Sequence, residues 1–282
     1  MFKTIGKQVW AFDCEWIPDA NAGRLLFNLG SAVPDMEVWK AMWAAGGATE
    51  EDPTPFLKMI QCRVVSIAAV IRKNTPDGAK LNLLWLPKTP EDPVLRDEKE
   101  IIGRFLNAVG KNQPQLVGFN SKNSDIKILT QRAIVNGIPC VDFCRRPDKP
   151  WEGVDYFARD NEAHIDLMDI VSVYGKGNPS LNELALFSGI PGKFEAHGED
   201  VWQMWAEGDF RKIVEYNCFD ALTTYLVWLR FCYFGGKMTK DEYAEEQDNL
   251  RDLLLELCEA PETAFLERYL EEWDRLQTLT GH

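Results

Sequence analysis

The sequence contains no apolar run approaching the roughly 18 residues that cross a bilayer, so neither a membrane span nor a membrane partner is expected. Histidine is scarce, at three in 282 residues. Cys140 and Cys144 have no second cysteine pair close by in sequence, which leaves little from which to build a zinc centre. Seven cysteines, an odd number without a tightly spaced framework, are expected to be free thiols in a reducing, cytoplasmic setting. The first sixteen residues lack the apolar stretch and small-residue cleavage site of a secretory leader. Basic excess is missing too: the net charge is −13, which disfavours loose adhesion to phosphate backbones. That deficit is uneven, since residues 236–282 hold five basic residues against thirteen acids, a net of −8 that leaves −5 on the first 235. Hydrophobic residues at 45% and charged residues at 27% describe a packed globular chain of one large domain or two modest ones.

Apolar runs and breakers give the order of elements. Gln8–Phe12 reads as a buried strand running into Asp13-Cys14-Glu15-Trp16, and Pro18 ends it. Residues 19–58, with Pro34, Pro53, Pro55 and Gly46-Gly47, read as an irregular insertion carrying one helix over Met36–Ala45. Cys62–Arg72 and Lys80–Leu86 form a hairpin turned at Asn74–Gly78. Apolar positions 101, 102, 105, 106 and 109 have helical spacing, and Pro114 precedes a short strand, Gln115–Phe119. A helix over Ser124–Asn136 closes at Gly137 and Pro139, and 140–163 reads as loop. Short helices are expected at 165–173, Ser180–Ser188 and Asp200–Glu207, followed by a long one over Phe210–Phe234. Two amphipathic helices split at Pro261 complete the chain. The expectation is an α/β fold: a mixed sheet flanked by helices over 1–235, with an acidic helical extension over 236–282.

Three groups of residues carry chemistry. Asp13 and Glu15, two apart on a strand, share a face, and two carboxylates that close repel unless a cation neutralises them. Composition alone yields about one such pair in a chain this long, so the pair means little by itself. Asn120 and Asp125 follow a strand, where an ordinary turn residue and a helix N-terminal acid are equally available readings. Tyr216 and Asp220 lie one turn apart on a single helix face, as an exposed acid on an amphipathic helix also would.

The combination in this order, Asp13-x-Glu15, Asn120-x4-Asp125 and Tyr216-x3-Asp220, resembles the DEDDy 3′–5′ exonucleases, whose fold is ribonuclease-H-like. The likeness spans about residues 7–232. It extends to His164-Ile165-Asp166-Leu167-Met168-Asp169, Ser180-Leu181-Asn182-Glu183-Leu184-Ala185 and Gly189-Ile190-Pro191-Gly192-Lys193, which look like exonucleases related to the proofreading domain of B-family polymerases. Glu215 occupies the place where the sister DEDDh class carries histidine. One departure is Ser124, where the family usually has an aromatic before the second-motif acid.

The resemblance implies that Asp13, Glu15 and Asp220 hold one divalent ion, with Asp13 touching a second that Asp125 supports through water. Hard oxygen donors suit Mg²⁺ or Mn²⁺. Tyr216 would orient the attacking water, and Asn120 would contact the terminal nucleotide. Trp16 reads equally as a base-stacking platform or as core, Phe12 as core, and Lys193 as a phosphate contact or a solvated lysine. Asp166 and Asp169 read as supports. The implied substrate is a single-stranded DNA 3′ end yielding nucleoside 5′-monophosphates, with RNA left open. A reading from another class keeps the nuclease fold as a scaffold, with 237–279 engaging a partner protein or a second copy.

Overall fold

The computed structural model describes residues 1–76, 78–149, 151–158, 162–172, 177–194 and 200–281. Its centre is β1 (Gln8–Pro18), which pairs antiparallel with β2 (Cys62–Thr75) and parallel with β4 (Gln115–Gly118). β3 (Gly78–Leu86) adds to β2, and β5 (His164–Asp166) adds to β4, giving the order β3-β2-β1-β4-β5. Only β2 runs against its neighbours, which is the ribonuclease-H-like arrangement. The hairpin closes with Thr75 opposite Gly78, whose φ of +110° is a conformation reserved for glycine. The turn expected at Asn74–Gly78 is therefore shorter than read, because Asn74 and Thr75 stay in the ladder; Asp77 lies outside the described residues.

The sheet is buried on both faces, so its central strands are apolar at both odd and even positions. Trp10, Phe12 and Cys14 of β1 pack with Ile101, Phe105 and Leu106 of α3 (Glu98–Asn112) and Ile128 of α4 (Asp125–Val135). Val9 and Ala11 face the other way, toward Leu222 and Leu226 of α8 (Phe210–Phe234). Eighteen of the 25 residues of α8 are buried, because the sheet covers one side and α9 (Lys240–Cys258) and α10 (Leu266–Thr280) cover the other. Leu250, Leu254, Tyr269 and Trp273 from these last helices lie in the same core as Val9 and Ala11. Arg72 of β2 and Glu246 of α9 form a buried ion pair, with the Tyr225 hydroxyl donating to Glu246 at 2.8 Å.

Two further expectations change. Between β1 and β2 there are two helices, α1 (Ala20–Phe27) and α2 (Asp35–Gly46), where one was expected. α1 starts at Asp19, whose carboxylate accepts from the Asn21 N–H at 3.0 Å. It buries only Ala20 and Gly23 and leaves Leu25 and Leu26 exposed, so no apolar face announced it. The helix expected at 165–173 is instead β5 followed by α5 (Leu167–Ser172), since His164–Asp166 completes the sheet edge beside β4; residue 173 lies outside the described residues. β1 ends at Pro18, where the proline was expected to stop it. The remaining helices, α6 (Leu181–Phe187) and α7 (Val201–Glu207), stand within the expected spans. Among the described residues no helix is long and apolar enough to cross a membrane.

Candidate active site

The odd positions of β1 that face α8 change from apolar to acidic along the strand: Val9 and Ala11, then Asp13 and Glu15. α8 answers with Ile213, Tyr216, Asn217 and Asp220, spaced to form one stripe. A register shift after Glu15 leaves Val65 of β2 without a partner across the ladder, a bulge of the kind that re-aims strand ends beside functional sites. One oxygen each from Asp13, Glu15 and Asp220 lie within 4.8 Å of one another.

Asp125 reaches the same place from the first turn of α4. Its Oδ1 accepts from the Cys14 N–H at 2.9 Å, and the Ser124 hydroxyl donates to its Oδ2 at 2.7 Å. The approach requires a tight turn after β4. A Cβ on Gly118 would stand 2.4 Å from Ser121, and Asn120 takes a left-handed φ of +59°. Asp166, buried at the end of β5, accepts from the N–H groups of Asn120 (2.8 Å), Lys122 (2.9 Å) and Met168 (3.0 Å). It thus pins the loop that presents Asn120 and Asp125, whereas Asp169 makes only an exposed pair with Lys122.

These acids line one cavity of about 480 Å³, together with Trp16, Asn120, Lys193 and Tyr216. The eight residues read from the sequence as metal ligands or substrate contacts therefore share it, while Asp166 and Asp169 do not line it. Trp16 is half-buried and lends its inner side to the core, while Phe12 is wholly core. The Lys193 N–H donates to Asn182 Oδ1 at 2.7 Å, and the Thr223 hydroxyl donates to the Pro191 carbonyl at 2.8 Å, so the backbone under the lysine is tied to α6 and α8. Four aromatic residues of the cavity escaped the sequence reading as site residues: Trp43 of α2, Phe56, Phe119 just after β4, and Trp202 of α7. Trp43 and Trp202 pack edge to face at 4.9 Å, and Phe56, directly after Pro55, is 82% exposed. An aromatic ending a Pro-x-Pro-Phe run is the one hint the sequence offered.

Electrostatically the site is short of positive charge. Burial pushes the Asp13 carboxyl well above its ordinary range, and Asp125, Glu15 and Asp220 push it further, while among the described residues Lys193 opposes them. Glu15 is raised in the same way, by burial first and then by Asp220. Burial carries Asp220 up to about 6 against the pull of Lys193 and Tyr216, and Asp125 up to about 6 against its hydrogen bonds. Like charges at this separation cost roughly 3 kcal/mol per pair at an effective dielectric of about 20. Four crowded carboxylates with one lysine fit a divalent cation bound by hard oxygens. Burial also raises the Tyr216 phenol far above its ordinary value, with Glu15, Asp220 and Asp13 adding to the shift, so it stays neutral and donates toward Asp220. Cys140 is buried and Cys144 exposed, and both are free thiols.

No curated protein matches the chain. A family model described as a predicted 3′–5′ exonuclease related to the exonuclease domain of PolB matches residues 54–273. The matched span begins after β1, so Asn120, Asp125, Tyr216 and Asp220 fall inside it, and the fold brings Asp13 and Glu15 to them. With well over half of its length so matched, the chain belongs to the predicted 3′–5′ exonucleases related to the exonuclease domain of PolB.

Proposed function

We propose that the protein is a metal-dependent exonuclease that shortens single-stranded DNA from its 3′ end and releases nucleoside 5′-monophosphates. The observation that carries this reading is the gathering of Asp13, Glu15 and Asp220 within 4.8 Å in a cavity that Asp125 also lines. Asp13, Glu15 and Asp220 would hold one Mg²⁺ or Mn²⁺, and Asp13 with Asp125 a second. Such ions, when bound, would supply charge neutralisation for an in-line displacement at phosphorus and would make water a better nucleophile.

The chain's own groups do the rest. Tyr216, whose phenol burial holds in its protonated form and which donates toward Asp220, would orient the water by accepting a hydrogen bond from it on the phenol oxygen. Asn120, held in its turn by Asp166, presents its amide to the terminal nucleotide. Lys193 contributes an ammonium facing the acids and would pair with phosphate as the strand enters. Trp16 offers a face for a base, which favours unpaired ends of any sequence. Residues 237–279 act as a buttress for α8, because Leu250, Leu254, Tyr269 and Trp273 are turned inward. Their outward acids are what is left for a protein partner or a second copy. A reducing, cytoplasmic setting accords with seven unpaired thiols.

The test is digestion of 5′-labelled oligonucleotides of DNA and RNA, with Mg²⁺ or Mn²⁺ and with Asp13→Ala alongside. A ladder shortening from the 3′ end of DNA, metal-dependent and absent in the variant, is expected. Shortening of RNA alone would move the substrate to the other nucleic acid. No metal-dependent shortening of either would overturn the reading.

A further inference from the structure

Asn217 follows Tyr216 on α8 and is completely buried, so both polar ends of its amide need protein partners. Its Nδ2 donates to Asp13 Oδ2 at 2.7 Å, and its Oδ1 accepts from the Ser66 hydroxyl at 2.9 Å. The polarity of this chain is forced. Once a cation holds Asp13 ionised its carboxylate only accepts, so the NH₂ faces Asp13; the amide oxygen then faces Ser66, whose hydroxyl donates. Ser66 is itself fully buried and stands opposite Glu15 in the β1–β2 ladder. One strand thus fixes the orientation of an amide that a helix delivers to an acid on the neighbouring strand. Among the described residues the other oxygen of Asp13, Oδ1, has no hydrogen-bond partner.

We infer that Asn217, oriented by Ser66, is a positioning residue for Asp13: it pins one carboxylate oxygen so that the other is held toward the ion site. The inference rests on the nuclease reading, and it concerns a side chain that touches neither substrate nor ion. An apolar residue at 217 would leave the Ser66 hydroxyl and Asp13 Oδ2 without this partner, so the buried amide is explained by the groups it joins.

Mn²⁺ binding to the whole chain without nucleic acid, by isothermal titration, tests this in the wild type, Asn217→Leu, Ser66→Ala and the double variant. Asn217→Leu should weaken Mn²⁺ binding about 10- to 100-fold, the usual effect of removing a group that orients a metal ligand. Its kcat on a single-stranded oligonucleotide should fall in proportion, with KM within about twofold. Ser66→Ala should cost about threefold to tenfold, because the amide is kept but freed to turn. The double variant should bind no worse than Asn217→Leu, since Ser66 acts only through the amide. Cooperative unfolding in EDTA checks that each variant folds, and Ser66→Ala carries the test if Asn217→Leu does not. Wild-type Mn²⁺ affinity in the single variants, or effects that simply add, would overturn the inference. A wild-type chain that binds no Mn²⁺ would overturn the nuclease reading as well.

Discussion

At Asp19, one residue past β1, a buried carboxylate meets a guanidinium: Arg132 NH2 lies 2.7 Å from it and 2.7 Å from Glu98. Arg132 Nε also donates to Glu98 at 2.8 Å, the Val64 N–H donates to the same acid at 2.8 Å, and Asn136 adds another donor at 2.8 Å. Burial alone would lower the arginine's pKa, but these bonds to Glu98 and Asp19 outweigh it and the net shift is upward. Six residues earlier on the same strand, Asp13 shares its cavity, among the described residues, with three further acids and one lysine. Both clusters are buried, and both join β1 to helices. The first has its compensating charge built into the chain; the second leaves compensation to something that must come and go. The difference marks the cleft as a binding site, where the other cluster is part of the frame.

Removing a charge should therefore have opposite consequences in the two places. In the cleft, Asp220→Asn should lower exonuclease activity roughly a thousandfold, since a metal ligand worth several kcal/mol of charge stabilisation is lost. In EDTA the same variant should be more stable than the wild type, by on the order of 2 kcal/mol in urea titrations, because a carboxyl raised to about 6 is replaced by a neutral amide. In the frame, Arg132→Leu should destabilise the chain by about 3 kcal/mol, since it strands two buried acids. If both substitutions shift urea stability in the same direction, the distinction drawn between the clusters is wrong.

Acidity offers a finer probe. Asp220 and Asp125, raised to about 6, contribute stability to the metal-free chain below about pH 4 that is lost as pH rises through 6. His164 works the other way. Burial lowers it to about 3, and its contribution is present above about pH 6.5 and lost as pH falls. The two trends oppose each other between pH 4 and 6. Asp220→Asn should leave the histidine less opposed, so in EDTA its stability should climb more steeply with pH over that window. Superimposable profiles would show that the acids carry no such strain.

What could be read from the sequence follows the range over which each signal acts. The β2–β3 hairpin, α3 and α8 announced themselves because their burial patterns repeat within a few residues. α1 did not, since Leu25 and Leu26 point outward and only the Asp19 cap marks its start. β5 did not, because three residues carry no period and the strand exists only beside β4. The acids and Tyr216 were legible through their order along the chain. Trp43, Phe56 and Trp202 were not, because separate segments bring them to the cavity and no local spacing links them.

Tyr216 sharpens the comparison at smaller scale, since its neutral phenol leans on the uncompensated acids without carrying charge. Tyr216→Phe should slow hydrolysis about 10- to 100-fold and leave Mn²⁺ affinity within about twofold. Full turnover in that variant would remove the tyrosine from the mechanism.

The smallest effect is expected at Ser124, and it concerns the one cleft acid that most resembles those of the frame. Asp125 has donors on both oxygens, the Cys14 N–H at 2.9 Å and the Ser124 hydroxyl at 2.7 Å. The same hydroxyl lies 2.7 Å from the Asn120 carbonyl, so its single proton is shared between the left-handed turn and the acid. An aromatic at this place could not make that link, and Ser124 thus supplies by hydrogen bonding a hold on Asp125 that a ring would have to supply by packing. Ser124→Ala should reduce kcat about threefold to tenfold, the worth of one such bond, with the Cys14 N–H still holding the other oxygen. Ser124→Thr, which keeps the hydroxyl, should stay near wild type. Ser124→Phe decides between the two kinds of hold: activity restored to wild type would show that packing alone positions Asp125, and a loss matching Ser124→Ala would assign the task to the hydroxyl.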